Sequence, residues 1–376
     1  MKEDIKKRDS NLECCRIITM AIIVLNHVVS LGGGGVYYPK ISLNCIVSMV
    51  YLLGGKFGTN VFVILGVYFL CDSEFKSIRV VKLWMQTFFY MIVLNIVDIV
   101  LFHAKINSIV WIKSFLPILG RSYWFASSYI ILLILIPLLN CVYRKLKKKG
   151  YLILVGVAVF SVVPTLTFNG NLFGPSKLVH YGFKLLLFGP IWFSFLYLLI
   201  KYLKENCKNY RIFHQSKWFY FWIWLACYSV MLITEVVMYS LGLNGNTFAM
   251  DNFSTIRDMQ SFPCVLGAAA FFLMFKKTDI VYNKKINFVA ATTFGIYLLH
   301  THETSITIFW KELFCLDRIS LSWYYVPYSL LLLLLIFGVG ISIEYARKKI
   351  ENMIFSNRNF LCRLNALDLK INGERV

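Results

Sequence analysis

The stretch RIITMAIIVLNH, residues 16–27, holds a guanidinium at one end and an imidazole at the other, with an almost wholly apolar run between them. With its flanks it approaches the roughly 20 residues that a helix needs to cross a bilayer. Inside a bilayer the backbone satisfies its own N–H and C=O groups only as a helix or a closed barrel. Eleven steps of about 100° return to within about 20° of the start, so Arg16 and His27 share one helix face, about 16 Å apart along the axis. Thr19, Met20 and Ile23 lie on that face between them and can border a channel.

The rest of the chain repeats the apolar pattern. Hydrophobic residues make up 58% of the 376 and charged residues only 15%, against about 45–50% and about 25% in soluble domains. Segments near 13–31, 43–70, 80–102, 123–140, 150–165, 183–202, 218–241, 259–275, 287–309 and 325–345 are apolar enough to span. The expectation is an all-α integral membrane protein of about ten transmembrane helices. The second segment is interrupted by GGKFGTN, which leaves its ends open. The first carries Arg16 and His27 and is followed by GGGGVYYPK, which is not a signal-peptide cleavage site. Residues 1–345 form the membrane domain on this reading, and 346–376 a basic tail. That tail is either an amphipathic helix on the inner leaflet or disordered.

A net charge of +20 would suit nucleic acid, but its distribution argues for topology. With ten crossings, most of the 39 Lys and Arg fall in alternate loops and at the two ends, and the positive-inside rule then puts both termini in the cytoplasm. The excess suits anionic membrane lipids and not nucleic acid. Ten cysteines without a CxxC pair indicate neither a metal knuckle nor a redox motif, and no metal is expected.

An ionisable residue within a span costs roughly 2.5 kcal/mol or more, so each needs a function or a partner. Arg16 reads either as a topogenic anchor or as a fork for a phosphate-bearing ligand. His27 reads either as a hydrogen-bonded structural residue or as a general base. In GIYLLHTHETS, 295–305, His300 and Glu303 stand three apart and share a helical face, so a carboxylate could orient the imidazole. His302 points elsewhere, closer to the outer surface, and reads as a structural contact. Asp98 and Glu235 have no sequence-local cation and read as helix–helix pairs or as part of a proton or substrate path. The outer loop 242–258, which closes on Arg257 and Asp258, is rich in residues that suit sugar hydroxyls or any solvated loop.

Four stretches in order, NLECCRIITMAIIVLNHVV (11–29), FGTNVFVILGVYFL (57–70), YWFASSYIILLILIPLLN (123–140) and FGIYLLH (294–300), resemble the membrane acyltransferase 3 family. Its hallmark is an arginine, ten residues and a histidine, met here by Arg16 and His27. The resemblance spans nearly the whole chain. Departures are Leu65 where the second helix usually has serine before glycine, and Lys76 with Arg79 in place of two arginines. Many members add an extracellular SGNH esterase-like domain; this chain resembles the stand-alone form.

The resemblance implies transfer of an acyl group, usually acetyl from cytoplasmic acetyl-CoA, to a sugar hydroxyl of a capsular, exo- or O-antigen polysaccharide or its lipid-linked precursor. Arg16, Lys76 and Arg79 would then hold the CoA phosphates. His27 and Arg16 would be the catalytic residues, His27 as the base or a transient acetyl carrier, and His300, Glu303 and Trp124 would lie near it or on the acceptor side. The expected location is the cytoplasmic membrane of a bacterium. The alternative reading is a membrane carrier or exporter of a glycan or its precursor.

Overall fold

The computed structural model describes residues 9–32, 38–71, 73–116, 123–145, 189–206, 208, 210–303, 306–356 and 358–373. Among these the chain is helical, with no strand. Helix α1 spans Ser10–Ser30, α2 Leu43–Leu70, α3 Ser77–Phe102, α4 Ser108–Phe115, α5 Trp124–Lys145, α6 Pro190–Asn206 and α7 Lys217–Leu243. Then follow α8 Thr247–Asn252, a 3₁₀ turn Thr255–Arg257, α9 Phe262–Lys276, α10 Lys284–Ala290 and α11 Thr293–His300. A π-helical segment Thr307–Leu313 leads toward α12, Tyr325–Ile354, and α13, Arg358–Asn372. Seven helical stretches among the described residues are long and apolar enough to cross a membrane: α1, α2, α3, α5, α7, α12 and Thr247–Lys276, which contains α8, the 3₁₀ turn and α9.

Three of the ten expected spans are not among these seven. The segment 150–165 lies outside the described residues, as do the start of 183–202 and the glycines 33–35; the described part of 183–202 is α6, of 17 residues. The segment 287–309 is not one helix. It breaks after α10, where the hydroxyls of Thr292 and Thr293 donate to the carbonyls of Val289 and Ala290 at 2.7 and 2.8 Å, a side-chain competition with the backbone ladder. It stops again at His300, whose carbonyl accepts from Trp310 Nε1 at 3.0 Å. By contrast α2 runs unbroken through GGKFGTN.

Those glycines serve packing. A Cβ on Gly55 would come 2.6 Å from the Asn26 side chain, and one on Gly58 would come 2.6 Å from Ile23 Cγ1. Without side chains there, α2 lies directly against the His27-bearing half of α1. Asn26 Nδ2 then reaches the Leu52 carbonyl at 3.0 Å. Starts of helices are capped where the sequence allows: Ser42 accepts from the Cys45 N–H and Ser216 from the Phe219 N–H, a contribution of about 1 kcal/mol each.

Helix α1 is central, in contact with α2, α9, α10, α11 and α12. Its buried residues Met20, Ile23, Val24 and Val28 join Tyr90 and Leu94 of α3 and Ile296 and Leu298 of α11 in one apolar cluster. Helices α7 and α12 turn large apolar side chains outward, among them Trp222, Ile233, Leu331 and Leu334. Such an outer surface is stable against lipid and not against water. Buried ions are paired between or along helices. Arg347 donates to both oxygens of Glu344, at 2.8 and 3.1 Å, and Gln86 of α3 adds a bond to Glu344 at 3.0 Å.

Candidate functional site

Helical spacing puts His27 on the α1 face that looks into a cavity of about 360 Å³. Its walls come from four helices and a loop. Met20, Ile23 and Asn26 of α1 face Gly55, Lys56 and Thr59 of α2, while Trp124 begins α5 and Tyr297 comes from α11. Ser254, Arg257 and Asp258 close one side from the 3₁₀ segment. That segment is held by Asn60 of α2, fully buried, which donates to the Met259 carbonyl at 2.8 Å and accepts from Trp192 Nε1 at 2.9 Å. The size and the mixed lining are those of a small-molecule site.

His300 is tied to His27 from behind. His27 Nδ1 and His300 Nε2 lie 2.8 Å apart, and His300 Nδ1 lies 2.5 Å from the Ile296 carbonyl oxygen. A carbonyl can only accept, so His300 Nδ1 carries the hydrogen. In the neutral ring His300 Nε2 is then the lone pair, and His27 Nδ1–H donates to it. That leaves Nε2 as the lone pair of neutral His27, on a residue of the cavity wall. The relay rests on the seating of α11 against α12, where a Cβ on Gly340 would come 2.6 Å from Ile296 Cγ1. His300 itself borders a second cavity of about 180 Å³, otherwise lined by apolar side chains such as Phe309, Trp310 and Val339. The histidine pair therefore stands between a cavity of mixed lining and an apolar one.

Glu303 does not orient His300. Helix α11 ends at His300, so the three-residue spacing no longer shares a face, and Glu303 instead pairs with Lys113 at 3.1 Å on an exposed surface. The Ile296 carbonyl takes the role expected of the carboxylate. His302 is buried and makes a structural contact: its Nδ1 lies 3.5 Å from Asp98 Oδ2, with 1% and 0% of the two side chains exposed. Glu235 also has its cation, Arg257, at 2.5 Å. That partner comes from the loop that closes the cavity, 22 residues further along the chain.

Trp124 shares the cavity with His27, and the Lys56 ammonium stands 4.5 Å from its ring centroid, within cation–π range. Arg16 does not line the cavity, whose wall on α1 begins at Met20. It pairs with Glu13 at 3.1 Å. Arg79, in the first turn of α3, donates to the Ser73 hydroxyl at 2.9 Å and to the Glu74 carbonyl at 3.2 Å. Both arginines lie within electrostatic range of Tyr129, whose hydroxyl packs against Gly66. Lys76 is exposed at the N-cap of α3.

Lys56 is a cavity residue that sequence reading passed over, although a lysine in the middle of the apolar run 43–70 carries the same signal as His27. Arg257 and Asp258 are visible in sequence only as loop residues. No group of three or more His, Cys, Asp or Glu able to hold a metal occurs among the described residues.

A family profile described as an acyltransferase domain matches residues 9–345. Neither the curated proteins nor the solved structures yield a match to the chain. The match covers all seven candidate spans except the last residues of α12, and it includes the histidine pair and the cavity. The chain thus belongs to the membrane acyltransferase 3 family, as a multi-pass membrane acyltransferase.

Proposed function

We propose that the protein is an O-acetyltransferase that moves acetyl from acetyl-CoA to a sugar hydroxyl of a capsular, exo- or O-antigen polysaccharide or its lipid-linked precursor. The observation that carries this reading is the wired histidine: His27 lines the cavity with its Nδ1–H committed to His300. His27 Nε2 accepts the hydroxyl proton as the sugar oxygen attacks the thioester carbonyl carbon. The C–S bond breaks, and the CoA thiolate takes up the proton that the imidazolium releases. A hydrogen bond from Nδ1–H to His300 holds the ring in place and supports the positive charge that forms on it. Trp124 offers an aromatic face for a sugar ring, and Asn26, Lys56 and Asp258 offer polar groups for its hydroxyls.

Charge distribution favours the Arg16 end of α1 on the cytoplasmic side, with the cavity of His27 toward the opposite face. Arg16, Lys76 and Arg79 then supply cations for the CoA phosphates. Arg16 already has Glu13 as partner, so a phosphate there competes with a carboxylate. The expected location is the cytoplasmic membrane of a bacterium.

The experiment compares surface glycan by mass spectrometry from cells with the gene, without it, and with His27→Ala. Each modified sugar should lose the mass of one acetyl group in the second and third cases, with the variant still in the membrane. Wild-type acetylation by His27→Ala would sink the assignment. Acetyl recovered on His27 after acid quench of the wild type would replace the base by a covalent carrier.

A further inference from the structure

Helix α3 begins without a cap of its own: Lys76 holds the N-cap position and its side chain bonds none of the free amides of the first turn. The missing acceptor comes from the other end of the chain. Asp368 Oδ1 accepts the Ser77 N–H at 2.7 Å across 291 positions, and Asp368 is only 9% exposed. Two more bonds flank it. Ser77 Oγ donates to the Leu364 carbonyl at 3.3 Å, and Asn372 Nδ2 donates to the Phe75 carbonyl at 3.1 Å.

Leu364, Asp368 and Asn372 are spaced four apart, so they form one face of α13, and that face lies on residues 75–77. The segment before α13 continues the contact along α3. Lys82 pairs with Glu351 at 3.5 Å, and its ammonium lies 4.9 Å from the Phe355 ring centroid. A carboxylate at a helix N-terminus both satisfies an amide and complements the dipole. The turn it secures is the one that carries Arg79, which in turn grips Ser73 and Glu74. The family match ends at residue 345, so this element lies outside it.

We propose that the C-terminal helix is a positioning element for the acyl donor. By capping α3 through Asp368 it holds Lys76 and Arg79 in the arrangement that receives the phosphates of a CoA thioester. This rests on the reading that those cations bind the donor. When the cap is lost the first turn of α3 frays, the competent arrangement becomes a fraction of the population, and apparent affinity falls by that fraction.

The test uses the full-length protein in lipid nanodiscs, with calorimetric binding of CoA and acetyl-transfer kinetics. Asp368→Ala and a chain ended after Ser356 should each weaken CoA binding and raise the KM for acetyl-CoA by roughly three- to tenfold, the range a cap provides. kcat and the acceptor KM should stay near wild type. Asp368→Asn keeps a capping oxygen and should restore most of the affinity, which a role in overall stability alone would not produce for the donor KM only. Wild-type CoA affinity in both Asp368→Ala and the shortened chain overturns the proposal. Tighter CoA binding in Asp368→Ala also overturns it, since the carboxylate would then be competing with phosphate. Absence of CoA binding in the wild type is a different failure and counts against the acetyl-CoA reading itself.

Discussion

Replacing His300 tests the relay where its two hydrogen bonds meet. In the wild type His27 Nδ1 is 2.8 Å from His300 Nε2, and His300 Nδ1 is 2.5 Å from the Ile296 carbonyl. His300→Ala leaves the His27 Nδ1–H without its acceptor. An unpaired buried donor costs about 1–3 kcal/mol, roughly a tenfold to hundredfold loss in kcat if the ring is equally free to turn away. Loss of the base itself by His27→Ala should cost more, about 10²- to 10⁴-fold.

Alanine also enlarges the apolar cavity that His300 already borders, and large-to-small replacements in a core cost about 2–5 kcal/mol. His300→Gln separates the two effects. Its amide oxygen can accept from His27 and its bulk fills most of the space, so it should keep about tenfold more activity than His300→Ala. The assay is transfer from labelled acetyl-CoA in nanodiscs, with thermal unfolding measured on the same preparations. Wild-type kcat in a folded His300→Ala protein would refute the relay. Equal kcat for the alanine and glutamine variants would show that hydrogen bonding to His27 is not what matters.

Arg257→Ala strands Glu235, whose side chain is fully buried and whose Oε2 already has no hydrogen-bond partner among the described residues. Removing one member of such a pair costs about 3–5 kcal/mol, to be seen as a lower melting temperature that Glu235→Gln in the same chain largely restores; an unchanged melt would contradict it. Glu303→Gln should change neither acyl transfer nor stability measurably, because its pair with Lys113 is solvent-exposed and such pairs contribute about 0–1 kcal/mol. A tenfold loss of activity there would reinstate a carboxylate role beside His300.

Class and much of the helix set were legible in the sequence because they follow from local rules. A bilayer forces helices on apolar runs, and a 3.6-residue period carries Arg16 and His27 to one face of α1 whatever surrounds it. Trp124 and His300 were legible as members of recurring stretches. The sequence could not show that α2 continues through GGKFGTN, since glycine that would weaken an isolated helix instead admits α1 at close range.

Pairing was decided only by tertiary structure. Glu303 and His300 stand three apart in a run that reads as helical, yet the helix ends at His300, and the His300 carbonyl accepts from Trp310. Asp98 meets His302, Glu235 meets Arg257 and Ser77 meets Asp368 across separations that no spacing rule reaches. Buried polar groups must find partners, and the sequence states that requirement without naming the partner. His27 stands out by sequence alone only as an ionisable group in an apolar span; that its Nδ1–H is committed to His300 and its Nε2 is left as the lone pair follows only from the packing of α11 on α1 and α12.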